Sequence, residues 1–235
     1  LDEVDSTNNY LKQHRAGLPD GTLVTAGLQT AGKGRRGHDW LADRGMLPLS
    51  LLLKQAPHPD TVTLCAGVAV CEALEQFLPG ESLGIKWPND IILRGHKLCG
   101  ILCESVCFGS SIDIVCGIGV NLTQSAEFFE RANIPHGGSV EMLTGVVIEN
   151  REQLAQDIAE RLYSYTRTGF DAIREQYVSR CLTVGKRIRI IENGTEREAF
   201  AEGIAPNGFL ICSDDRGRFE VNSGEVSVRG LMDYI

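Results

Sequence analysis

Long hydrophobic runs are missing from this 235-residue sequence: it nowhere holds the roughly 20 consecutive apolar residues of a membrane-spanning helix, and its first residues show no leader pattern. Positive charge is also in deficit. With 23 Lys and Arg against 31 Asp and Glu, the formal net charge is −8, which excludes broad electrostatic binding to nucleic acid. Aromatic residues make up only 6%, and none is interleaved with the one basic stretch as a stacking platform for single strands would require. Eight cysteines are present, but none has C-x-x-C spacing, and no histidine or carboxylate pattern completes a metal site around Cys99, Cys103 and Cys107. They fall mostly in apolar runs, so free, buried thiols in a reducing, cytoplasmic setting are expected. What remains is ordinary globular composition, 43% hydrophobic and 23% charged.

Against this acidic background one stretch stands out. Residues 32–37 read Gly32-Lys33-Gly34-Arg35-Arg36-Gly37, three glycines interleaved with three cations, with Gln29 before and Trp40 after. Glycine opens backbone dihedrals closed to other residues and lets the chain approach a ligand closely. Successive N–H groups in such a loop can form a nest for anionic oxygens, while Lys33, Arg35 and Arg36 supply full charges. A local cationic exception in an acidic chain points to a small anionic ligand. Gly27, Gly32 and Lys33 have P-loop spacing, but Gly34 stands where that motif needs the Ser or Thr that coordinates magnesium. The plain competing reading is a solvated basic turn.

Periodicity predicts a helix over 5–16 with several N-cap candidates, a strand over 23–29 leading into the glycine loop, a strand over 46–54 and a long apolar helix over 59–78. Short strands over 82–86, 91–94, 97–106 and 111–120 with tight turns between them suggest antiparallel pairing. The pattern loosens over 121–150, and helices follow over 151–168 and 171–180. Beyond Cys181 come strands over 187–191, 198–204, 209–212, 218–221 and 226–229, with hairpin turns at Asn193-Gly194 and Asn207-Gly208, the texture of a small barrel.

A second cluster, Lys86-Trp87-Pro88-Asn89-Asp90, ends the 82–86 strand on a lysine and breaks it with proline. Alone, Lys86 could be a strand-end lysine snorkelling to solvent beside a packed Trp87. Its company changes that. Ser6-Thr7-Asn8, the 29–37 loop, Lys86 to Asp90, Lys97-Leu98-Cys99-Gly100-Ile101-Leu102, Gly117-Ile118-Gly119-Val120-Asn121 and Gly224-Glu225-Val226-Ser227-Val228-Arg229 occur in this order. Together they resemble the biotin protein ligase family, the biotin–[acetyl-CoA-carboxylase] ligases.

The resemblance implies an α+β fold: a mixed, largely antiparallel sheet flanked by helices, like the catalytic domain of a class II synthetase, over 1–182, and a small SH3-like β-barrel over 183–235. It implies a two-step reaction in which biotin and MgATP give biotinyl-5′-adenylate and pyrophosphate, and the adenylate then acylates one lysine of a biotin carboxyl carrier domain. Lys86 and Arg35 would be the catalytic cations. Ser6, Thr7, Asn8, Gln29, Lys33 and Gly34, with Arg35 and Lys86, would hold biotin. Gly32, Arg35, Arg36, Gly37, Trp40, Lys86, Asn89 and Asn121 would hold ATP and the adenylate, and the pattern names no metal ligands.

Where this chain has Lys33 the family commonly has arginine, which implies a looser hold on the adenylate. Some relatives carry an N-terminal DNA-binding helix-turn-helix; here the catalytic pattern starts at residue 2, so no operator binding is expected. Dimerisation through the catalytic sheet is the expected assembly. Two rival readings are a lipoate-type ligase, which lacks the pairing of glycine loop and Lys86 cluster, and a catalytically silent biotin sensor. The C-terminal unit reads either as a stabilising cap or as a docking element for ATP or the carrier domain.

Overall fold

The computed structural model describes residues 1–108, 111–192, 194–222 and 227–230. In chain order, β1 (Glu3–Val4) leads to α1 (Thr7–His14), β2 (Leu23–Thr25), β3 (Leu28–Gln29), β4 (Met46–Leu53) and α2 (Val62–Phe77). Then come β5 (Gly84–Lys86), β6 (Asp90–Leu93), β7 (His96–Phe108) and β8 (Ser111–Asn121), followed by α3 (Ala126–Arg131), α4 (Val140–Thr144), α5 (Arg151–Thr168) and α6 (Arg174–Arg180). The last five strands are β9 (Arg187–Glu192), β10 (Thr195–Ile204), β11 (Leu210–Asp214), β12 (Gly217–Val221) and β13 (Ser227–Gly230). Among the described residues no helix is long and apolar enough to cross a membrane.

The main sheet has six strands in the order β2-β4-β8-β7-β6-β5, antiparallel throughout. Its two faces divide the labour. Leu47, Leu49, Leu51 and Leu53 of β4 join Ile114, Cys116, Ile118 and Val120 of β8 and Cys99 and Ile101 of β7 in the main core. That face lies against α2, and α2 is apolar nearly all round because α5 and α6 contact it as well. Alternation sends the residues between them to the opposite face. There α1 covers one part by packing Leu11 on Leu52 and Val115. The remainder of that face, with Ser50, Gly117, Gly119, Gly100, Leu102 and Glu104, is left for the site.

The stretch 23–29, expected as one strand, is two strands in different sheets: β2 pairs with β4, and β3 pairs parallel with β1. The chain changes partner at Ala26-Gly27, whose N–H groups donate to Pro48 O at 3.3 Å and Leu1 O at 3.0 Å. A Cβ at Gly27 would stand 2.8 Å from Asp2 O, so a side chain there would block the switch. The loose region 121–150 holds two short helices. Each is capped by a serine, Ser125 accepting from Phe128 N at 3.3 Å and Ser139 from Met142 N at 3.2 Å, but at six and five residues they are too short to show a helical period.

The C-terminal strands form a separate antiparallel sheet in the order β12-β11-β10-β9-β13. A barrel is expected from the sequence; among the described residues no ladder joins β12 to β13, so the sheet is not closed there. Asn207-Gly208 makes a turn with Gly208 at φ +85°. Asn193 of the other expected turn, and Gly224, Glu225 and Val226 of the terminal motif, lie outside the described residues. Apolar packing is continuous between the two sheets, because Ile188, Ile190, Ala201 and Leu210 belong to the same core cluster as Leu64 and Trp87. All eight cysteines are free, six of them buried, and burial pushes the Cys65 thiol up to about 12.

Candidate active site

The first turn of α1 supplies a knot of polar side chains. Ser6 caps the helix by accepting from Asn9 N at 3.4 Å, and Thr7 and Asn8, both buried, project toward the sheet. Gln29 Oε1 accepts from Thr7 N at 2.8 Å and from Thr7 Oγ1 at 2.9 Å. Ser50 Oγ, at the centre of β4, lies 2.7 Å from Thr7 Oγ1 and 2.6 Å from Asn8 Oδ1. Asn8 Nδ2 donates to Leu102 O at 3.3 Å and Glu104 Oε2 at 2.8 Å, and Glu104 Oε1 accepts from Lys12 Nζ at 2.8 Å. Each amide is thereby oriented, Asn8 with its oxygen toward Ser50 and its nitrogen toward Glu104.

Glycine makes room for this knot. A Cβ at Gly117 would fall 2.3 Å from Asn8 Oδ1; at Gly119 it would fall 2.7 Å from Trp40 Nε1, and at Gly100 2.6 Å from Trp40 Cζ3. Gly100 and Gly119 face each other across β7 and β8, so one bare strip of backbone receives the Trp40 indole. The result is a narrow cavity of about 60 Å³ bounded by Ser6, Thr7, Asn8, Gln29, Lys33, Gly34 and Arg35.

The glycine and cation loop is a small hairpin. Gly34 N donates to His38 O at 2.7 Å and Trp40 N to Gly32 O at 3.0 Å, while Lys33 and Asp39 form a bridge between the two arms. Its tip turns through Arg36 at φ 58° and Gly37 at φ 77°. Past the tip the chain delivers Trp40, whose Nε1 donates to Met46 Sδ at 2.7 Å. Arg35 Nη1 donates to Asn89 Oδ1 at 2.8 Å, and Asn89 Nδ2 donates to Ile101 O at 3.1 Å. Loop and Lys86 cluster are therefore physically joined.

Beyond this junction opens a wider cleft of about 550 Å³. Lys86, 7% exposed, lines it with Arg36, Asp90 and Asn121, and Leu41, Phe128, Phe129 and Ile134 give it an apolar wall. Lys97 Nζ lies 2.7 Å from Asp90 Oδ1 and 5.0 Å from the centre of the Trp40 ring. Burial lowers the Arg35 guanidinium from its usual range and the Asp90 charge opposes the shift; arginine keeps its charge regardless. Among the described residues no group of three His, Cys, Asp or Glu could hold a metal ion by itself. A divalent ion here would depend on the phosphates of a nucleotide, the usual arrangement for magnesium.

The structure brings together nearly all the residues singled out from sequence. Ser6, Thr7, Asn8, Gln29, Lys33, Gly34 and Arg35 line the narrow cavity; Arg36, Trp40, Lys86, Asn89 and Asn121 line the wider one. Gly32 and Gly37 line neither. A Cβ at Gly32 would come 2.5 Å from Trp40 O, so it serves the packing of the hairpin arms. Asn121 spends its amide on the wall: Nδ2 donates to Lys97 O at 3.4 Å and Gly138 O at 3.1 Å, and Oδ1 accepts from Gln124 Nε2 at 3.1 Å. Sequence reasoning missed Ser50, Glu104 and Lys12, and singled out Lys97 only as part of a motif, without a place in the site. Ser50 had a signal, as the lone polar residue in the run Met46-Leu47-Pro48-Leu49-Ser50-Leu51-Leu52-Leu53.

Residues 1–121 match the model of the biotin/lipoate A/B protein ligase family. The chain belongs to that family. It is 33% identical to the biotin–[acetyl-CoA-carboxylase] ligase of Paracoccus denitrificans over 98% of this chain and 100% of that one. With the ligase of the same name from Mycobacterium tuberculosis it shares 32% identity, over 88% of this chain and 79% of the other. Its fold is similar to that of the biotin protein ligase from Aquifex aeolicus in complex with biotin and ATP, with a TM-score of 0.82 and 28% identity over 98% of this chain and 97% of that one.

Proposed function

We infer that this chain is a biotin protein ligase, activating biotin with MgATP and passing it to a lysine of a carboxylase's biotin carrier domain. One observation carries the reading: Gly34, Arg35, Trp40, Asn89 and Lys97 line both the narrow cavity and the wider cleft. A neutral ring held in the first and a triphosphate held in the second would meet there, carboxylate against α-phosphate.

The donors and acceptors of Thr7, Asn8 and Gln29, with Ser50 behind them holding Asn8 in place, suit a ureido ring, which both donates and accepts hydrogen bonds in an otherwise apolar body. The biotin carboxylate attacks the α-phosphate and pyrophosphate leaves. Charge builds on the phosphoryl oxygens in that step, and Lys86 and Arg35, held by packing and by Asn89, stabilise it without reorganising. In the second step the acceptor amine attacks the acyl carbon and AMP departs. The hairpin of 32–40, closed over the junction, keeps water from the mixed anhydride meanwhile. Residues 1–182 act as the catalytic unit and 183–235 as its support, in the reducing cytoplasm that eight free thiols suit.

The test is isotope exchange between pyrophosphate and ATP. Exchange is expected with biotin and absent with lipoate or octanoate. The converse pattern would move the chain to the lipoate branch of the family, and no exchange with any acid would leave only binding.

A further inference from the structure

The peptide that leaves the catalytic unit is stitched to both sides of Lys86. Before the lysine, Ile85 forms a parallel bridge with Cys181, and Ile85 O accepts from Leu182 N at 2.8 Å. After it, Trp87 N donates to Thr183 Oγ1 at 3.0 Å, and the Trp87 indole Nε1 donates to Gly208 O at 3.1 Å. Trp87 is 2% exposed and Thr183 5%, so neither bond has water as an easy substitute. Gly84 closes the stitch from below, since a Cβ there would come 2.4 Å from Leu182 Cδ1. Gly208 in turn sits in the β10–β11 turn against α2, its Cβ position 3.2 Å from Leu64 Cδ2.

Apolar packing alone would hold a cap in place. Here two directional bonds also run from the C-terminal unit to the residue next to the catalytic lysine, and both go to Trp87. We propose that Thr183 and the Asn207-Gly208 turn are positioning elements for the ligase reaction, fixing through Trp87 the backbone from which Lys86 reaches the α-phosphate. The proposal rests on the role assigned to Lys86 above. It makes the C-terminal sheet part of the adenylation machinery even though Thr183 and Gly208 do not line the cleft.

The test uses the full chain. Thr183→Val keeps the shape and removes the acceptor, leaving the Trp87 N–H unpaired; Thr183→Ser keeps the hydroxyl. Because misplacing a reacting group by about 1 Å can cost on the order of a hundredfold, kcat for biotin-dependent exchange is expected to fall at least roughly tenfold in T183V. Biotin affinity by calorimetry should stay within about twofold, since the polar knot on α1 is untouched, and T183S should recover the rate. Trp87→Phe, which removes the Gly208 bond, should show the same split and decides the matter if T183V does not fold. An unchanged kcat overturns the proposal, as does a parallel loss of kcat and biotin affinity that serine fails to repair. If the unmodified chain gives no exchange, the parent reading falls first.

Discussion

At the scale of single residues, the polar knot and Lys86, the cation proposed to act on the α-phosphate, are expected to respond oppositely to substitution. Ser50 is buried against Asn8 and Thr7, so Ser50→Ala leaves Asn8 Oδ1 without its donor while Thr7 Oγ1 keeps Gln29, a cost of about 1–3 kcal/mol for one unsatisfied buried group. Biotin affinity is expected to drop roughly tenfold, with the single-turnover adenylation rate at saturating biotin almost unchanged. Lys86→Ala should do the reverse, slowing adenylation by a hundredfold or so while biotin still binds. Rapid-quench and calorimetric measurements on the two variants separate these outcomes; identical behaviour would mean that the two cavities do not divide ring from phosphate. Lys86 and Gln29 were legible because each stands in a compact motif. Glu104 was not, and Ser50 showed only as a polar break in an apolar run, because the meaning of both lies in contacts with Asn8 across 96 and 42 residues of sequence.

At the scale of elements, what decides the site is register. The glycines of Lys97-Leu98-Cys99-Gly100 and Gly117-Ile118-Gly119 stood in the sequence as parts of the motifs that carry the family resemblance, but only the β7–β8 ladder sets Gly100 opposite Gly119 beneath Trp40. Gly119→Ala would put a methyl 2.7 Å from Trp40 Nε1 and lift the indole. The hairpin that carries Trp40 then closes less well, and the adenylate should hydrolyse several-fold faster without carrier domain, followed as AMP release. Unchanged release would show that the indole does not seal the junction. Long periodic elements such as β4, α2 and α5 were read correctly because both their faces or their stripe are apolar. The partner switch at Ala26-Gly27 and the two serine-capped helices escaped, since a break of two residues and helices of five or six leave no period to detect.

At the scale of the molecule, the sequence announced a catalytic sheet and a C-terminal β unit but not how firmly one is sewn to the other. The long-range bonds of Leu182 and Thr183 have no local signature. They have a consequence for solubility. A strand at the rim of a sheet offers unpaired N–H and C=O groups to any passing chain, and at β5 that rim is occupied by residues 181–183, which take up Ile85 O and Trp87 N. A chain cut after Arg180 would bare those groups together with the apolar surface that Ile188, Ile190 and Leu210 now cover. Such a fragment is expected to self-associate, its light-scattering mass rising with concentration, whereas a well-behaved monomer would show that the rim needs no cover. By this logic the joining peptide is the chain's own guard against edge-to-edge aggregation.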